Sequence, residues 1–481
     1  MKAGHKNTGP VNNTLARTGF WTLSEDHSGE HVMLLETSGQ AWTYRECCEQ
    51  VTRLTGQLSE VMPATKGLCA LIMRNNPASV TAYLACLQAG HAVILLHPDM
   101  SATAINEVCM RYRVNVLITS SDSQRLHPEY TLISTEPVKV HAELAVLLST
   151  SGSSGSPKLV RLSYRNLQAN AESIVRYLSI TRNDRAIAHL PLHYSYGLSV
   201  LNSHLLAGAS CVLHDGSIVE RPFWQAMKTL SVNNLAGVPY TYELLSRLRF
   251  EPSAYSDLRY MTQAGGKLCP ELVRCFAQKL RSAGKQLFLM YGQTEATARM
   301  SYLPPELCET HPESIGQPIP GGKFDLLDEH GSVIQNPDQP GELVYSGDNV
   351  MMGYAHTYQD LARDHVLEIL HTGDQAWRDA QGLYFLKGRI DRIRKVFGNR
   401  IDLDELQTRL QDRFGSLACV ASESRLCIYY ETEQLGDELK RAVDDQLQLP
   451  PSAISLHYID QLPRTVNGKL DYRTLEIGGL A

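Results

Sequence analysis

The sequence predicts an α/β protein: a large N-terminal domain of βαβ subdomains, a small antiparallel subdomain after it, and a small α+β C-terminal domain. Three observations carry this reading. Strand-like apolar runs alternate with helix-spaced segments as far as residue 290, the texture changes after about residue 320, and the final stretch has a helix, a strand and a helix of its own. The boundaries read as 1–390 for the core, with about 320–390 as its β-rich part, and 391–481 for the C-terminal domain.

The alternation begins with a strand at 68–73, broken by Asn76-Pro77, then helical spacing at 78–88 that stops at Gly90, then a strand at 92–96. A helix at 107–113 and a strand at 114–119 repeat the cycle. It recurs at 167–178, 186–190, 198–206 and 210–214, and again where 271–283 leads into 286–290. Such alternation builds βαβ units and a mainly parallel sheet. Beyond 320, short segments at 323–328, 341–346 and 382–386 lie between turn signals such as Asn336-Pro337-Asp338, which suits antiparallel pairing. The last domain reads as a helix at 403–414, a strand at 425–430 and a helix at 436–447.

Composition narrows the function classes. With 43% hydrophobic and 20% charged residues among 481, the chain has the balance of a globular protein with a sizeable core. A net charge of −6 gives no general attraction to nucleic acid or anionic lipid. No apolar run approaches the roughly 20 residues a membrane helix needs, and the first 30 residues lack a signal-peptide stretch, so a cytoplasmic protein without membrane insertion is expected. The eleven cysteines include no C-x-x-C pair and read as small buried hydrophobes. His189 and His193 have the spacing of a helical zinc pair, but Pro191 between them argues against one helix.

Four constellations carry chemistry. In the first, an apolar strand ending at Leu148 runs into Ser149-Thr150-Ser151-Gly152-Ser153-Ser154-Gly155-Ser156-Pro157-Lys158. Glycines let backbone N–H groups converge on an anion, hydroxyls add donors, and Lys158 adds charge. In the second, 286–290 is followed by Tyr291-Gly292-Gln293-Thr294-Glu295, an aromatic for stacking on a base and hard oxygens for Mg²⁺ beyond a strand end. The third is Asp374, in His371-Thr372-Gly373-Asp374, with Arg389 after it: a carboxylate suited to ribose hydroxyls and a guanidinium suited to oxyanions. The fourth is Lys469, on the turn Pro463-Arg464-Thr465-Val466-Asn467-Gly468-Lys469.

In this order and spacing, together with Gln263-Ala264-Gly265-Gly266-Lys267, these residues resemble the adenylate-forming superfamily from about residue 20 to 475. That superfamily comprises acyl-CoA synthetases, the adenylation domains of non-ribosomal peptide synthetases, and firefly luciferase. The chain looks closest in type to a stand-alone acyl- or aryl-acid ligase. The resemblance implies that Ser149 to Lys158 fold over the β- and γ-phosphates of ATP, and that Gly265 and Gly266 line the adenine and acyl pockets. It makes Tyr291 the adenine-stacking aromatic, with Gly292 and Gln293 beside it in the nucleotide site. Thr294 becomes a phosphate contact, Glu295 the Mg²⁺ ligand, and Asp374 with Arg389 the ribose pair. His193 resembles the aromatic gate beside the reacting carboxylate, and Tyr196, Val238, Pro239, Ala264 and Gly265 fall in the acyl pocket. Asp391 matches the hinge of a mobile C-terminal domain, and Lys469 the lysine that enters the site for adenylation. Rotation about Asp391 withdraws Lys469 and presents the face of Lys395 and Gly398.

The implied activity is ATP-dependent activation of a carboxylic acid as acyl-adenylate, with pyrophosphate released. Transfer follows to a phosphopantetheine thiol, of CoA or of an acyl carrier protein. Alternatives are a catalytically degenerate adenylate-binding protein, an amino-acid-activating enzyme, and a luciferase-like oxidase. The chain departs from the family pattern at Ser153-Ser154, at Leu159 in place of the last loop glycine, at Tyr164 where many members have histidine, and in a short C-terminal domain. The stretch Leu192 to Ser199 holds no acidic residue to pair an α-ammonium, so a fatty or aryl acid is expected. Lys267 is a candidate partner for a second carboxylate.

Overall fold

Six parallel strands form the centre of the larger sheet, in the spatial order Val32–Glu36, Ser210–Leu213, Arg185–Ala188, Asn234–Gly237, Tyr260–Gln263 and Gln286–Tyr291. The computed structural model describes residues 18–23, 29–120, 126–149, 158–364, 367–396, 399–422, 425–447, 449–450, 453–465 and 470–479. Thr150 to Pro157, Gly398, Lys469 and the side chain of Lys395 lie outside what is described.

Beyond Gln286–Tyr291 the same sheet continues in antiparallel order: Ser301–Leu303, Ser314–Pro318, Tyr384–Arg389, Leu370–Arg378, Gly341–Gly347 and Gly322–Leu327. With Ala41–Thr43 at the far edge, the sheet has thirteen strands among the described residues. A second sheet of seven has a parallel centre, Leu144–Ser149, Ala92–Leu96, Leu68–Ile72 and Val116–Thr119, with antiparallel flanks. The expected parallel part and the antiparallel part after about residue 320 are both present, and short antiparallel strands not expected from the sequence flank the parallel centres. The segment 292–300 is shorter than the dozen or so residues a parallel crossover needs, so the chain returns antiparallel.

Two helices behind the site are buried on every side. Pro77–Gln88 starts on Asn76, whose side chain accepts from Ser79 N, and Ser195–Leu206 is buried from Ser195 to Leu205. Burial on every face, polar residues included, is the mark of a helix held between layers. The largest apolar core joins them, and Tyr164–Leu178, to the inner faces of both sheets.

Two expected boundaries moved. The helix expected from 107 begins at Ala102, because the Ser101 hydroxyl accepts from Ala104 N and caps it there. The strand expected at 382–386 is Tyr384–Arg389, since Gly382, at φ +88°, still belongs to the preceding turn. That shift matters: it carries the strand through Arg389. The C-terminal strands form a two-stranded ribbon, Ile393–Val396 with Asn399–Asp402, and a three-stranded sheet of Leu417–Ala421, Leu426–Tyr430 and Ile454–Tyr458. Against the cysteine expectation, Cys269 and Cys275 are exposed, while the other nine are buried or half-buried. No described helix is long and apolar enough to cross a membrane.

Gly316, at φ +77°, brings its α-carbon so near Ser301–Leu303 that a Cβ would lie 2.0 Å from the Tyr302 carbonyl oxygen. Gly316→Val should lower the melting temperature by a few degrees or more, because strain of about 1–3 kcal/mol has nowhere to relax. Differential scanning fluorimetry reads this directly, and an unchanged melting temperature would show that the pairing tolerates the side chain.

Candidate active site

The site begins where Gln286–Tyr291 ends. Gly292 passes so close to the returning chain that a Cβ there would stand 1.7 Å from the Ala298 carbonyl oxygen. Only glycine fits, and this close approach shapes the loop. A 3₁₀ turn, Thr294–Ala296, follows, and then Thr297 and Ala298 take left-handed backbone at φ 59° and 109°. Asn349 fixes the loop from behind: its amide donates to the carbonyls of Ala296 (2.8 Å) and Arg299 (3.1 Å), and its own carbonyl accepts from the Thr297 hydroxyl at 2.7 Å.

At one end of this loop stands a buried carboxylate. Asp374 is 6% exposed. The Tyr291 hydroxyl donates to its Oδ2, as does Gln293 Nε2 at 3.0 Å, and Arg389 Nη1 lies 3.4 Å from Oδ1. Asp374 and Arg389 are register partners on adjacent strands, so the ion pair follows from the sheet itself. Burial raises the Asp374 pKa, opposed first by the Arg389 charge and then by the Tyr291 and Gln293 hydrogen bonds. Burial, reinforced by the Asp374 charge, also pushes the Tyr291 hydroxyl well up.

At the other end, Glu295 Oε1 accepts from the Tyr354 hydroxyl at 2.8 Å, and Lys158 Nζ sits 3.8 Å from the centre of the same ring. Tyr354 therefore joins the carboxylate of the second constellation to the lysine that ends the first. Sequence reasoning missed Tyr354. It belongs to a two-residue strand, Tyr354–Ala355, paired antiparallel with Leu159–Ser163, and no local pattern announces so short an element. Ser149 and Leu159 are also register partners, so residues 150–157 leave and re-enter adjacent strands at one place. Thr150, Ser151, Gly152, Ser153, Ser154 and Gly155 themselves lie outside the described residues.

Thr294 is tied to the buried helix by its hydroxyl, 3.1 Å from Ser195 Oγ. Helix Ser195–Leu206 has no side-chain cap at its start, so its first N–H groups and positive dipole end point at this corner. Gly265, at φ +86°, lies where a Cβ would stand 3.0 Å from the Tyr194 hydroxyl and 3.2 Å from Val238 Cγ1; one at Gly266 would stand 3.1 Å from Pro239 Cγ. Ala264 is buried beside them, and the Tyr196 hydroxyl bonds Thr262 Oγ1 at 2.8 Å.

His193 is not brought into this group. Its ring packs against His97, with centroids 4.5 Å apart, and burial together with His97 lowers its pKa to about 4. The aromatic at the Gly265 turn is Tyr194, the next residue along; a one-residue offset before a helix reverses the direction of a side chain, which spacing alone does not resolve. Lys267 is also outside, more than half exposed and 3.7 Å from Glu313. Asp391 stays close by, 3.2 Å from Arg389, while Asp404 binds both Arg389 N and Arg392 Nε. Lys469 lies beyond the described residues, but Arg464 before it sits 3.7 Å from Glu243 and over the Tyr240 ring at 5.3 Å. No cluster of three or more metal-ligating His, Cys, Asp or Glu residues occurs among the described residues.

The geometry is matched by similarity. Residues 22–355 match the family described as AMP-binding enzyme. A 2-succinylbenzoate–CoA ligase of Bacillus pumilus is 24% identical over 493 residues, covering 95% of this chain and 98% of that protein. Surfactin synthase subunit 1 of Bacillus subtilis is 27% identical over 92% of this chain, which spans only 13% of that protein's length. Among solved structures, the o-succinylbenzoate coenzyme A synthetase of Bacillus subtilis, in complex with ATP and magnesium ion, superposes with a TM-score of 0.75 at 21% identity, covering 95% of this chain and 99% of that one.

Asp374→Asn separates stability from binding. Because burial raises the carboxyl pKa, the ionised form is penalised in the fold as pH rises through its range. The ligand-free melting temperature at neutral pH should therefore hold or rise in the variant, while ATP affinity, read by calorimetry, should fall. Lower stability with undiminished ATP binding would make Asp374 structural.

Proposed function

The chain belongs to the AMP-binding enzyme family, and from that premise we propose that it activates a carboxylic acid with ATP and passes the acyl group to a thiol. The substrate carboxylate attacks the α-phosphorus of ATP, the bond to the bridging oxygen breaks, and pyrophosphate leaves. The thiol of CoA, or of a carrier protein's phosphopantetheine, then attacks the acyl carbon; AMP departs and the thiol proton goes to solvent. The observation that carries this reading is the line Lys158–Tyr354–Glu295, which brings a cation and a hard carboxylate to one place, on the loop that follows Tyr291 and its partner Asp374.

Each role follows from the chemistry of its group. Tyr291 presents a ring at a strand end for the adenine, and Asp374, held by Arg389, accepts from ribose hydroxyls. Thr294 and the open start of Ser195–Leu206 suit phosphate or carboxylate oxygens. Glu295 fits Mg²⁺, since only Oε1 is engaged among the described residues and a single carboxylate completed by phosphates is the usual magnesium arrangement; the ion supplies charge neutralisation on the phosphates. Ser149 to Gly155 and Lys158 close over the β- and γ-phosphates. No protein nucleophile is needed, because positioning and neutralisation carry this transfer.

Residues 1–390 serve as the core and 391–481 as a domain that turns about Asp391. Lys469 serves as the lysine of the adenylation step, and Arg464, ahead of it in the sequence, lies over the Tyr240 ring. The acid has no α-amino group: Tyr194, Tyr196, Val238, Pro239, Ala264 and Gly265 offer no carboxylate, and an unpaired buried ammonium costs several kcal/mol. An aliphatic or aryl acid fits. The setting is cytoplasmic.

Carboxylate-dependent exchange of labelled pyrophosphate into ATP, across fatty, aryl, hydroxy and amino acids, tests the reading. Exchange with a simple acid is expected; preference for an ordinary α-amino acid, or no exchange with any acid, would overturn it. Lys469→Ala should cut the adenylation half-reaction by about 10²–10³ while sparing thioester formation from synthetic acyl-adenylate. Equal loss in both halves would mean that Lys469 holds structure instead. Asp391→Pro, which fixes φ near −65°, should show the opposite pattern, with exchange intact and thioester formation reduced. If overall turnover were unchanged, the pivot would lie elsewhere.

A further inference from the structure

The cation and the carboxylate of the site come from different sheets. Lys158 leads into Leu159–Ser163, a strand of the second sheet, while Glu295 follows Gln286–Tyr291, a strand of the larger one. Tyr354 meets both, through its ring and its hydroxyl. Its own strand, Tyr354–Ala355, is the edge of the second sheet and pairs with Val160 and Leu159, so it lies against the strand that Lys158 enters. Tyr354 thus reaches from one sheet to a carboxylate borne by the other.

So short a strand needs outside support, and a buried arginine supplies it. Arg161 is 1% exposed. Its N–H donates to the Gly353 carbonyl at 3.0 Å, and its carbonyl accepts from Met352 N at 2.8 Å. Its guanidinium donates to the carbonyls of Met352, Asp360 and Arg363, which fastens the chain on both sides of Tyr354. The same segment grips the backbone of Glu295, since Met351 N donates to the Glu295 carbonyl at 2.9 Å. Glu295 is therefore tied to residues 351–354 at its backbone through Met351 and at its carboxylate through Tyr354.

The carboxylate of a glutamate ends a flexible side chain, and an ion that binds it must first overcome that freedom. A tyrosine hydroxyl has one proton to give, and that of Tyr354 goes to Glu295 Oε1 at 2.8 Å. Oε2 has no partner among the described residues. The hydrogen bond therefore fixes the carboxylate and leaves one oxygen open. Carboxylates that bind metals are commonly held by such an outer hydrogen bond, and loss of the partner costs about 10–100-fold in affinity or activity.

We propose that Tyr354 is a positioning residue for the metal: its hydroxyl presets the Glu295 carboxylate so that Oε2 is open to the Mg²⁺ of MgATP. This rests on the acid-activating reading above and deepens it. Tyr354 acts through Glu295, and it does so from the sheet that carries Lys158.

Tyr354→Phe removes the hydroxyl and leaves the ring that Lys158 lies over, so it isolates the hydrogen bond. Calorimetry of ATP binding to the full chain at a series of Mg²⁺ concentrations, with a metal-free arm in EDTA, reads the effect without any turnover. The variant should need about tenfold more Mg²⁺ or higher to tighten ATP binding by half. Its metal-free ATP affinity and its ligand-free melting temperature should match wild type. In a Glu295→Gln background the same change should add nothing to the Mg²⁺ requirement. An unaltered Mg²⁺ requirement in Tyr354→Phe would overturn the proposal while leaving acid activation standing. So would a loss of equal size in the metal-free arm, or one that persists beside Glu295→Gln, because Tyr354 would then act on the fold or on another group. A wild-type chain that binds no ATP in the presence of Mg²⁺ would overturn the reading on which the proposal rests.

Discussion

The buried carboxylate of Asp374 is the constraint on which the site depends. A carboxylate almost out of water is stable only if its oxygens are occupied, and here they bind Tyr291, Gln293 and Arg389. Those three residues come from different parts of the larger sheet. Tyr291 and Gln293 end its last parallel strand, while Asp374 and Arg389 face each other across two antiparallel strands. Satisfying one charge therefore fixes the antiparallel margin against the parallel centre. It also holds the Gly292 loop in one conformation, with Thr294, Glu295 and Arg299 projecting from it. Arg389 is bound in turn through its backbone to Asp404, at the start of the C-terminal helix Leu403–Phe414, so the nucleotide corner and the C-terminal segment share a strut.

Much of this was legible in the sequence. The strand expected at 286–290 ends one residue later, at Tyr291, and Asp374 and Arg389, fifteen residues apart, are register partners on adjacent strands. Chemistry that depends on a strand end or a tight turn leaves a compositional mark. The helix 403–414 and the strand 92–96 were read to the residue, because periodicity and caps act locally. What escaped was tertiary. Tyr354 reaches Glu295 through a two-residue strand whose pairing is non-local, and Arg299 is ordinary in sequence until burial removes its solvent. His193 packs against His97 while its neighbour Tyr194 stands at the Gly265 turn, and the angle at which a chain enters a helix is not legible from residue types.

Lys158 lies over the Tyr354 ring and Arg464 over the Tyr240 ring. Arg389 is committed to Asp374. Arg299 is buried among neutral partners: the Ser199 and Tyr177 hydroxyls and the Met290 sulfur.

The central claim is that ATP is cleaved at the α-phosphorus to make a mixed anhydride, and product analysis tests that most directly. Phosphorus-31 NMR of a turnover mixture containing enzyme, MgATP, CoA and an acid that supports exchange should show AMP and pyrophosphate accumulating together. Accumulation of ADP and inorganic phosphate instead would place the cleavage at the γ-phosphorus and contradict the account.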